Sequence, residues 1–365
     1  MAHSWHPRDF VVPMAVDKTR FHDLGLPDQV MRAIATLGFQ YCSPIQALTL
    51  PQSLAGYDIT GQAQTGTGKT AAFLISIITD LIDYPTKVQQ QCGLPRVLII
   101  APTRELVMQI ASDAVNLTRF TDLKVQQLVG GMDYELQKHQ LSTDPVDILV
   151  ATPGRLLDFC RRKVVDLCDI EVLVLDEADR MLSMGFIPDV QTIIRQTPNK
   201  VERQTLLFSA TFSEQILRLV HQWTHEPVHI EIASESVATP TVIQKFYSVA
   251  RRDKYCLLLN CLQQLSIERA IVFSNRRHVT RILNKRLHQD GINSVFLSGE
   301  VAQTQRVKIL EGFRCGKTTV LVATDVVGRG IHVDGVSHVF NYDLPEEPED
   351  YIHRIGRTGR AGRRG

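Results

Sequence analysis

Short runs of consecutive apolar residues recur along the chain, and each breaks at once into a polar or glycine-containing stretch. Eight of them read "RVLIIAPTREL", "DILVATPGR", "VLVLDEAD", "TLLFSAT", "RAIVFSNRR", "SVFLSGE", "TVLVATDVVGRG" and "HVFNYDLP". A run without polar alternation suits a strand covered on both faces, whereas a strand with one wet face alternates. Between the runs lie segments such as "TAAFLISIITDLIDY", whose length and periodicity predict helices. The pattern therefore predicts an α/β fold of parallel sheets flanked by helices. Ligands of such sheets bind beyond the carboxyl ends of the strands, where all of these polar stretches fall.

At 365 residues the chain exceeds one ordinary core, and two domains are expected. Between "VHIEIA" and "VIQKFYSVA" lies "SESVATPT", small residues and proline without apolar periodicity, which reads as a linker. The expected organisation is an unassigned N-terminal segment over 1–17, a first domain over 18–233, the linker over 234–241 and a second domain over 242–365. The second half repeats the strand-then-polar rhythm but lacks a phosphate-binding glycine loop. The halves should be alike in architecture and unequal in chemistry. Because "GRAGRRG" closes the sequence without a final strand or helix, the second domain is expected to continue past Gly365.

Composition narrows this little. With 44% hydrophobic and 22% charged residues the profile is that of a soluble globular protein. No apolar run approaches the roughly 20 residues of a spanning helix, and "MAHSWHPRDF" has neither the cationic start nor the apolar core of a secretory signal. A cytoplasmic protein that does not enter a membrane is expected. Seven scattered cysteines without a CxxC pair suit a reducing compartment and argue against both a disulfide framework and a zinc site. Forty basic residues against 39 acidic ones leave a net charge of +1, so any nucleic-acid contact has to be a local patch.

Two of the polar stretches carry chemistry. "AQTGTGKT", residues 63 to 70, is a phosphate-loop pattern with Ala63 where the strict form has glycine. Backbone N–H groups along Ala63, Gln64, Thr65, Gly66, Thr67 and Gly68, with the following helix N-terminus, would bind phosphate oxygens. Lys69 would reach the β and γ phosphates and Thr70 would ligate Mg²⁺. A glycine turn that only caps a helix is the competing reading, and the strand-like segment before the loop favours phosphate. In "VLVLDEADRM" the carboxylates of Asp176, Glu177 and Asp179 gather at the end of a buried strand, where like charges repel. A magnesium nucleotide removes that difficulty: Asp176 holds the ion, directly or through water, Glu177 orients or deprotonates the attacking water, and Asp179 ties the strand to its neighbours. Without a nucleotide, an acidic helix start favoured by the macrodipole is the alternative.

These motifs have company. "GFQYCSPIQ", "AQTGTGKT", "APTREL", "GG" at 130 to 131, "TPGR", "DEAD", "SAT", "LVATDVVGRG" and "HRIGRTGR" follow one another from about Phe21 to the C-terminus. In order and wording the chain resembles the DEAD-box ATP-dependent RNA helicases. The resemblance implies two RecA-like domains, ATP and Mg²⁺ as cofactors, and a monomer that hydrolyses ATP to unwind RNA locally, with little dependence on sequence. It implies that Gln46 reads the adenine edge, its amide offering a donor and an acceptor, and that Phe21 stacks on the ring, with ordinary core packing as the other reading. Ser209 and Thr211 would couple hydrolysis to strand separation together with Asp179. Arg357 and Arg360 would be arginine fingers on the transferring phosphoryl group, a basic patch on nucleic acid being the alternative. Asp325 and His353 would support the nucleotide site between the domains. RNA would meet Thr103, Arg104, Gly131, Thr152 and Arg155 in the first domain and Gly299, Gln303, Arg306 and Thr324 in the second, through phosphate and sugar rather than bases.

Three positions depart from the family pattern: Cys42 stands for the usual proline, Asn275 for a common threonine, and His332 where an aspartate generally contacts the ribose. The wording is most like a bacterial branch associated with mRNA decay, which implies an endoribonuclease such as RNase E and other RNA-decay components as partners. Two rivals stand beside the helicase reading. One is an ATP-gated RNA clamp or assembly scaffold with little unwinding; the other is a DNA-directed ATPase on the same fold.

Overall fold

The structure, a computed structural model, describes residues 5–6, 9–63, 66–85, 91–232, 242–265, 267–298, 301, 303–325, 335–346 and 348–359. They fall in two compact units, Met1–Ala233 and Ser234–Gly365. The expected linker over 234–241 lies outside the described residues.

The first unit contains strands β1 (Ile59–Gln62), β2 (Val97–Ile100), β3 (Val125–Leu128), β4 (Ile148–Ala151), β5 (Val172–Leu175), β6 (Gln204–Ser209) and β7 (Val228–Glu231). Its helices are α1 (Asp28–Thr36), α2 (Pro44–Leu54), α3 (Lys69–Asp83), α4 (Arg104–Leu117), α5 (Tyr134–Thr143), α6 (Pro153–Arg161), α7 (Ala178–Ser183), α8 (Ile187–Ile194) and α9 (Glu214–Trp223). The strands form one sheet in the order β3-β4-β2-β5-β6-β1-β7, and every pair is parallel.

Burial on both faces explains the unbroken apolar runs. Val97 and Ile99 of β2 enter one core cluster with Phe73, Val172, Val174, Leu206 and Phe208. Leu98 and Ile100 enter the opposite cluster with Leu149, Leu173, Leu175 and Leu207. Each such side chain contributes roughly 1.5–3 kcal/mol when fully buried. The edge strands are different: β3 reads "VQQL" and is mostly half-buried, and β7 alternates around a buried Ile230. Their weaker apolar signal follows from having one neighbour instead of two. Gly61 in β1 admits a close approach, since a Cβ there would lie 2.5 Å from the Phe208 ring.

The second unit holds β8 (Ala270–Phe273), β9 (Ser294–Leu297), β10 (Val320–Ala323) and β11 (His338–Asn341), with helices α10 (Lys254–Gln264), α11 (Arg277–Gln289), α12 (Gln303–Arg314) and α13 (Pro348–Ile355). The sheet order is β11-β8-β10-β9, again parallel. Ile271, Phe273, Leu321 and Ala323 face one cluster, and Ala270, Val272, Val320 and Val322 the other. All eight apolar runs named from the sequence are strands, and each ends at or just inside the start of its polar stretch.

Strand order in the first unit sorts the motifs. The phosphate loop follows β1, "SAT" spans the end of β6 and "DEAD" follows β5, three adjacent strands. The stretches "PTREL", "GG" and "TPGR" follow β2, β3 and β4, the next three strands along the sheet. Both groups therefore occupy one rim of one sheet, side by side.

Candidate functional site

Lys69 opens α3 directly after Gly68, whose φ of 94° places it in the left-handed region. The lysine is buried, and its Nζ lies 3.8 Å from Oδ1 of Asp176, also buried, at the end of β5. Burial pushes the Asp176 carboxyl up to about 6, against the pull of Lys69 and with the help of the neighbouring Glu177 charge. Asp176 Oδ1 also accepts the Glu177 N–H at 2.9 Å. Glu177 has φ 55° and ψ 52°, a left-handed conformation that costs a non-glycine residue roughly 1–2 kcal/mol. The strain turns the chain from β5 into α7 with the carboxylates on the rim. Glu177 Oε2 meets Arg180 Nη1 at 2.7 Å, both groups being buried. Sequence reading passed over Arg180, although its position three residues on in a helix is a pairing distance.

Asp179 ties two strands together. Its Oδ2 accepts from the N–H groups of Ala210 and Thr211 at 3.2 and 3.1 Å and faces Thr211 Oγ1 at 3.3 Å. In return Ser209 Oγ accepts the Asp179 N–H at 3.2 Å and donates to the Thr211 carbonyl at 2.7 Å. A shift of "DEAD" has to move "SAT" with it.

The loop is braced from α2. Gln46 Oε1 accepts the Ser43 N–H at 2.9 Å and its Nε2 donates to the Gly68 carbonyl at 3.1 Å, while Ser43 Oγ donates to the Thr67 carbonyl at 2.7 Å. A Cβ on Gly68 would lie 2.6 Å from Gln46 Nε2, so glycine is required there for two reasons. Gln46 thus carries a local structural duty that sequence reading did not foresee. Phe21 is 0% exposed within the main core cluster, so the packing reading describes it here and no ring face is open for stacking. Ala63 is buried at the loop's start and donates to the Ser209 carbonyl at 3.1 Å. Thr70 is half-buried in the first turn of α3. Gln64 and Thr65 lie outside the described residues. Cys42 is half-buried, and burial pushes its thiol up to about 12, leaving it unionised.

On the neighbouring half of the rim, Thr103 N-caps α4 by accepting the Leu106 N–H at 3.3 Å. A Cβ on Gly131, at φ 78°, would lie 2.3 Å from Arg104 Nη1, so the guanidinium rests against the glycine pair. Thr152 precedes α6 and donates its N–H to the Leu128 carbonyl at 3.0 Å. Arg155 donates to the Met132 carbonyl from Nη1 and Nη2, at 3.4 Å each. The five residues expected in the first domain are thus brought to neighbouring strand ends. In the second unit Arg306 and Thr324 are buried. Gln303 opens α12 but its side chain lies outside the described residues, as do Gly299, His332 and Arg360.

The second unit contains a hub that the sequence did not reveal. Arg354, 1% exposed, donates from Nε and Nη2 to the two Asp325 oxygens at 2.6 Å each and from Nη2 to Asn275 Oδ1 at 2.7 Å. Its Nη1 reaches Asn341 Oδ1 at 3.2 Å and the Asp343 carbonyl at 2.5 Å. Asp325, expected beside the nucleotide, has both oxygens engaged within its own unit. Arg357 is buried, and its Nε donates to the His353 carbonyl at 3.0 Å.

Family models agree with this arrangement. "DEAD/DEAH box helicase" matches residues 43–219 and "Helicase conserved C-terminal domain" matches 253–362. The chain belongs to the DEAD/DEAH box helicase family. It is similar to the curated "ATP-dependent RNA helicase RhlB" of Pseudomonas aeruginosa, with 60% identity over 93% of this chain and 86% of that protein. The protein of the same name from Shewanella sp. (strain MR-4) is 46% identical over 95% and 79%. Among solved structures, S. cerevisiae Dbp5 bound to RNA and ADP BeF3 matches with a TM-score of 0.83 and 31% identity over 95% of this chain and 88% of that one. Mss116p bound to ssRNA and AMP-PNP matches at 0.84 and 28%, over 97% and 75%. These helicase neighbours agree with two RecA-like sheets.

Among the described residues no three His, Cys, Asp or Glu side chains are grouped to hold a metal. Asp176 and Thr70 offer oxygen donors only, which fits a hard cation completed by phosphate oxygens and water. The buried charge on Asp176 makes its own prediction. Its folded pKa lies above the unfolded value, so stability is greatest below the unfolded value and is lost as pH rises through about 6. Asp176→Asn, which cannot ionise, should gain on the wild type by about 2 kcal/mol between pH 4 and pH 7, most of what a rise of about two pH units at about 1.4 kcal/mol each allows. Denaturant melts of ligand-free protein with chelator at both pH values check this, and a gap that does not widen would contradict it.

Proposed function

We propose that this chain hydrolyses ATP in an RNA-dependent cycle and uses the cycle to unwind or remodel short structured RNA. The observation that carries the reading is the single rim of the seven-stranded sheet, with a phosphate loop and carboxylates on three adjacent strands and "PTREL", "GG" and "TPGR" on the next three. Lys69 and the α3 N-terminus bind the phosphates, and Gln46 reads the adenine edge. Glu177 orients the attacking water and accepts its proton. Asp179, through its bonds to Ala210 and Thr211, passes the state of the nucleotide to "SAT". Arg357 and Arg360 are assigned to the transferring phosphoryl group. When bound, Mg²⁺ neutralises phosphate charge, and Thr70 and Asp176 would hold it, partly through water.

Arg104, Arg155 and the neighbouring backbone groups suit phosphate and sugar, so binding should be nearly independent of sequence. A cytoplasmic role in RNA decay with an endoribonuclease such as RNase E as partner is part of this proposal. No helix among the described residues is long and apolar enough to cross a membrane.

ATP hydrolysis measured with matched RNA and DNA oligonucleotides, beside duplex unwinding by the wild type and Glu177→Gln, tests the reading. RNA should stimulate turnover well above DNA, and Glu177→Gln should bind RNA yet fail to unwind. Equal stimulation by DNA would remove RNA as the substrate. Strand separation indifferent to ATP would leave the clamp in place of the helicase.

A further inference from the structure

We infer that the outer face of α11 is a second contact for RNA, a track that takes the phosphodiester backbone of single-stranded RNA leaving the rim of the second unit. This rests on the RNA reading proposed above. From Arg269 to Gln289 the chain carries Arg269, Arg276, Arg277, Arg281, Lys285 and Arg286 and no carboxylate, in a protein whose net charge is only +1. Four of the six lie in α11 and Arg276 caps it. Thr280, Leu283 and Leu287 form its buried face. Arg277, Arg281, Lys285 and His288 are exposed and follow one another at spacings of four, four and three residues, which places them in one stripe along the helix. Arg286 stands apart from it, with its guanidinium 3.6 Å from the centre of the Tyr255 ring.

Local helix energetics do not explain the start of the stripe, although His288 at its other end stands in the last turn, where a cation suits the dipole. Arg276 occupies the N-cap and Arg277 the first position, with no acidic residue in the first turn and no side-chain cap. Cations at that end oppose the helix dipole by about 0.3–1 kcal/mol each. Residues that break a local rule without a gain to the fold mark functional surface, and an anionic ligand reverses the sign of this cost.

Position and spacing select the ligand. β8 and β10 pair with Phe273 opposite Ala323, so α11 leaves the sheet at the same edge as Thr324, one of the proposed RNA contacts. A strand held at that edge has the start of α11 as its next surface. Cations four residues apart on a helix are spaced by roughly 6 Å, comparable to the step between successive phosphates of a stacked strand. An acidic protein would seek several apolar anchors among the charges; the four positions of the stripe supply none, and Ile282 beside it is a single exposed apolar side chain.

The test uses the full chain with a double variant, Arg281→Gln with Lys285→Gln, and fluorescence anisotropy of labelled oligouridylates about 6 and about 20 nucleotides long, in the presence of a nonhydrolysable ATP analogue. For the long oligonucleotide we expect binding roughly tenfold weaker at 0.1 M salt and a log–log salt slope reduced by about 1.4, two phosphate contacts at about 0.7 each. Binding of the short oligonucleotide, and RNA-stimulated ATP turnover with it, should stay unchanged, which also shows that the variant is folded. Unchanged affinity for the long oligonucleotide overturns the inference, as does an equal loss for both lengths. A polyglutamate peptide whose binding falls while RNA binding holds would assign the face to an acidic protein and overturn it as well. If the wild type ignores RNA of both lengths, the proposed function itself falls, a result distinct from the others.

Discussion

Replacing Lys69 with alanine is expected to reduce RNA-stimulated ATP turnover by 10²–10³-fold or more, as an order of magnitude, while the protein stays folded. The two halves of that expectation come from the same contact. Lys69 Nζ lies 3.8 Å from Asp176 Oδ1, with both side chains nearly closed to water. Removing a partner from a buried pair usually costs several kcal/mol because a bare charge is left behind. Asp176 has a way out: burial has already pushed its carboxyl up to about 6 even with the lysine beside it. Without the lysine it takes a proton at neutral pH and the desolvation cost largely disappears. Turnover has no such escape, since a protonated Asp176 is a poor cation ligand and nothing else at the start of α3 brings positive charge to the β and γ phosphates. Phosphate release at saturating RNA, with thermal melts at pH 7, measures both. Turnover within tenfold of wild type would put the phosphate site elsewhere, and an unfolded variant would mean that Asp176 cannot discharge itself.

The difference between what could and could not be read from the residues follows from the range of the interactions. Strands such as Val172–Leu175 are legible because being covered on both faces is written into consecutive positions, and the phosphate loop because its chemistry is local. The edge strand Val125–Leu128, half polar, is not legible by that rule. Pairings across long separations are hidden: Arg354 meets Asp325 and Asn275 over 29 and 79 residues, and no periodicity encodes such a partner. Dual use is hidden too. Gln46 looks like a pure recognition residue, yet its amide already joins Ser43 to Gly68, and Phe21, expected to stack on a ligand, lies within the main core cluster. The residues lead one to expect a tie between Asp179 and "SAT", but its form, one carboxylate oxygen facing three donors of Ala210 and Thr211, depends on strands side by side.

Arg354 carries the second large expectation, and it separates neighbours that look equivalent in "HRIGRTGR". Arg354→Ala should destabilise the second unit by about 2–4 kcal/mol, because it strips the half-buried Asp325 carboxylate of a fully buried cation. Asn275, Asn341 and the Asp343 carbonyl lose their donor in the same step. Arg354→Lys should not restore the loss, since one ammonium cannot serve both Asp325 oxygens and Asn275 in the plane that the guanidinium fork provides. The asparagine at 275 belongs to the same device: its Oδ1 accepts from Arg354 and its Nδ2 donates to the Leu344 carbonyl at 2.8 Å, two contacts that a threonine hydroxyl could not make in the same directions. Arg357→Ala, in contrast, should cost the fold less than Arg354→Ala and lower turnover by on the order of 10³-fold or more. The protein supplies its own probes for telling these apart. Both tryptophans, Trp5 and Trp223, belong to the first unit, so their fluorescence follows that unit alone while far-UV circular dichroism follows both. Arg354→Ala should move the circular dichroism transition to lower denaturant and leave the tryptophan transition in place. A dichroism transition that superimposes on wild type would mean that the hub holds no stability, and the arginine would then have to be counted with Arg357 as a residue kept for turnover.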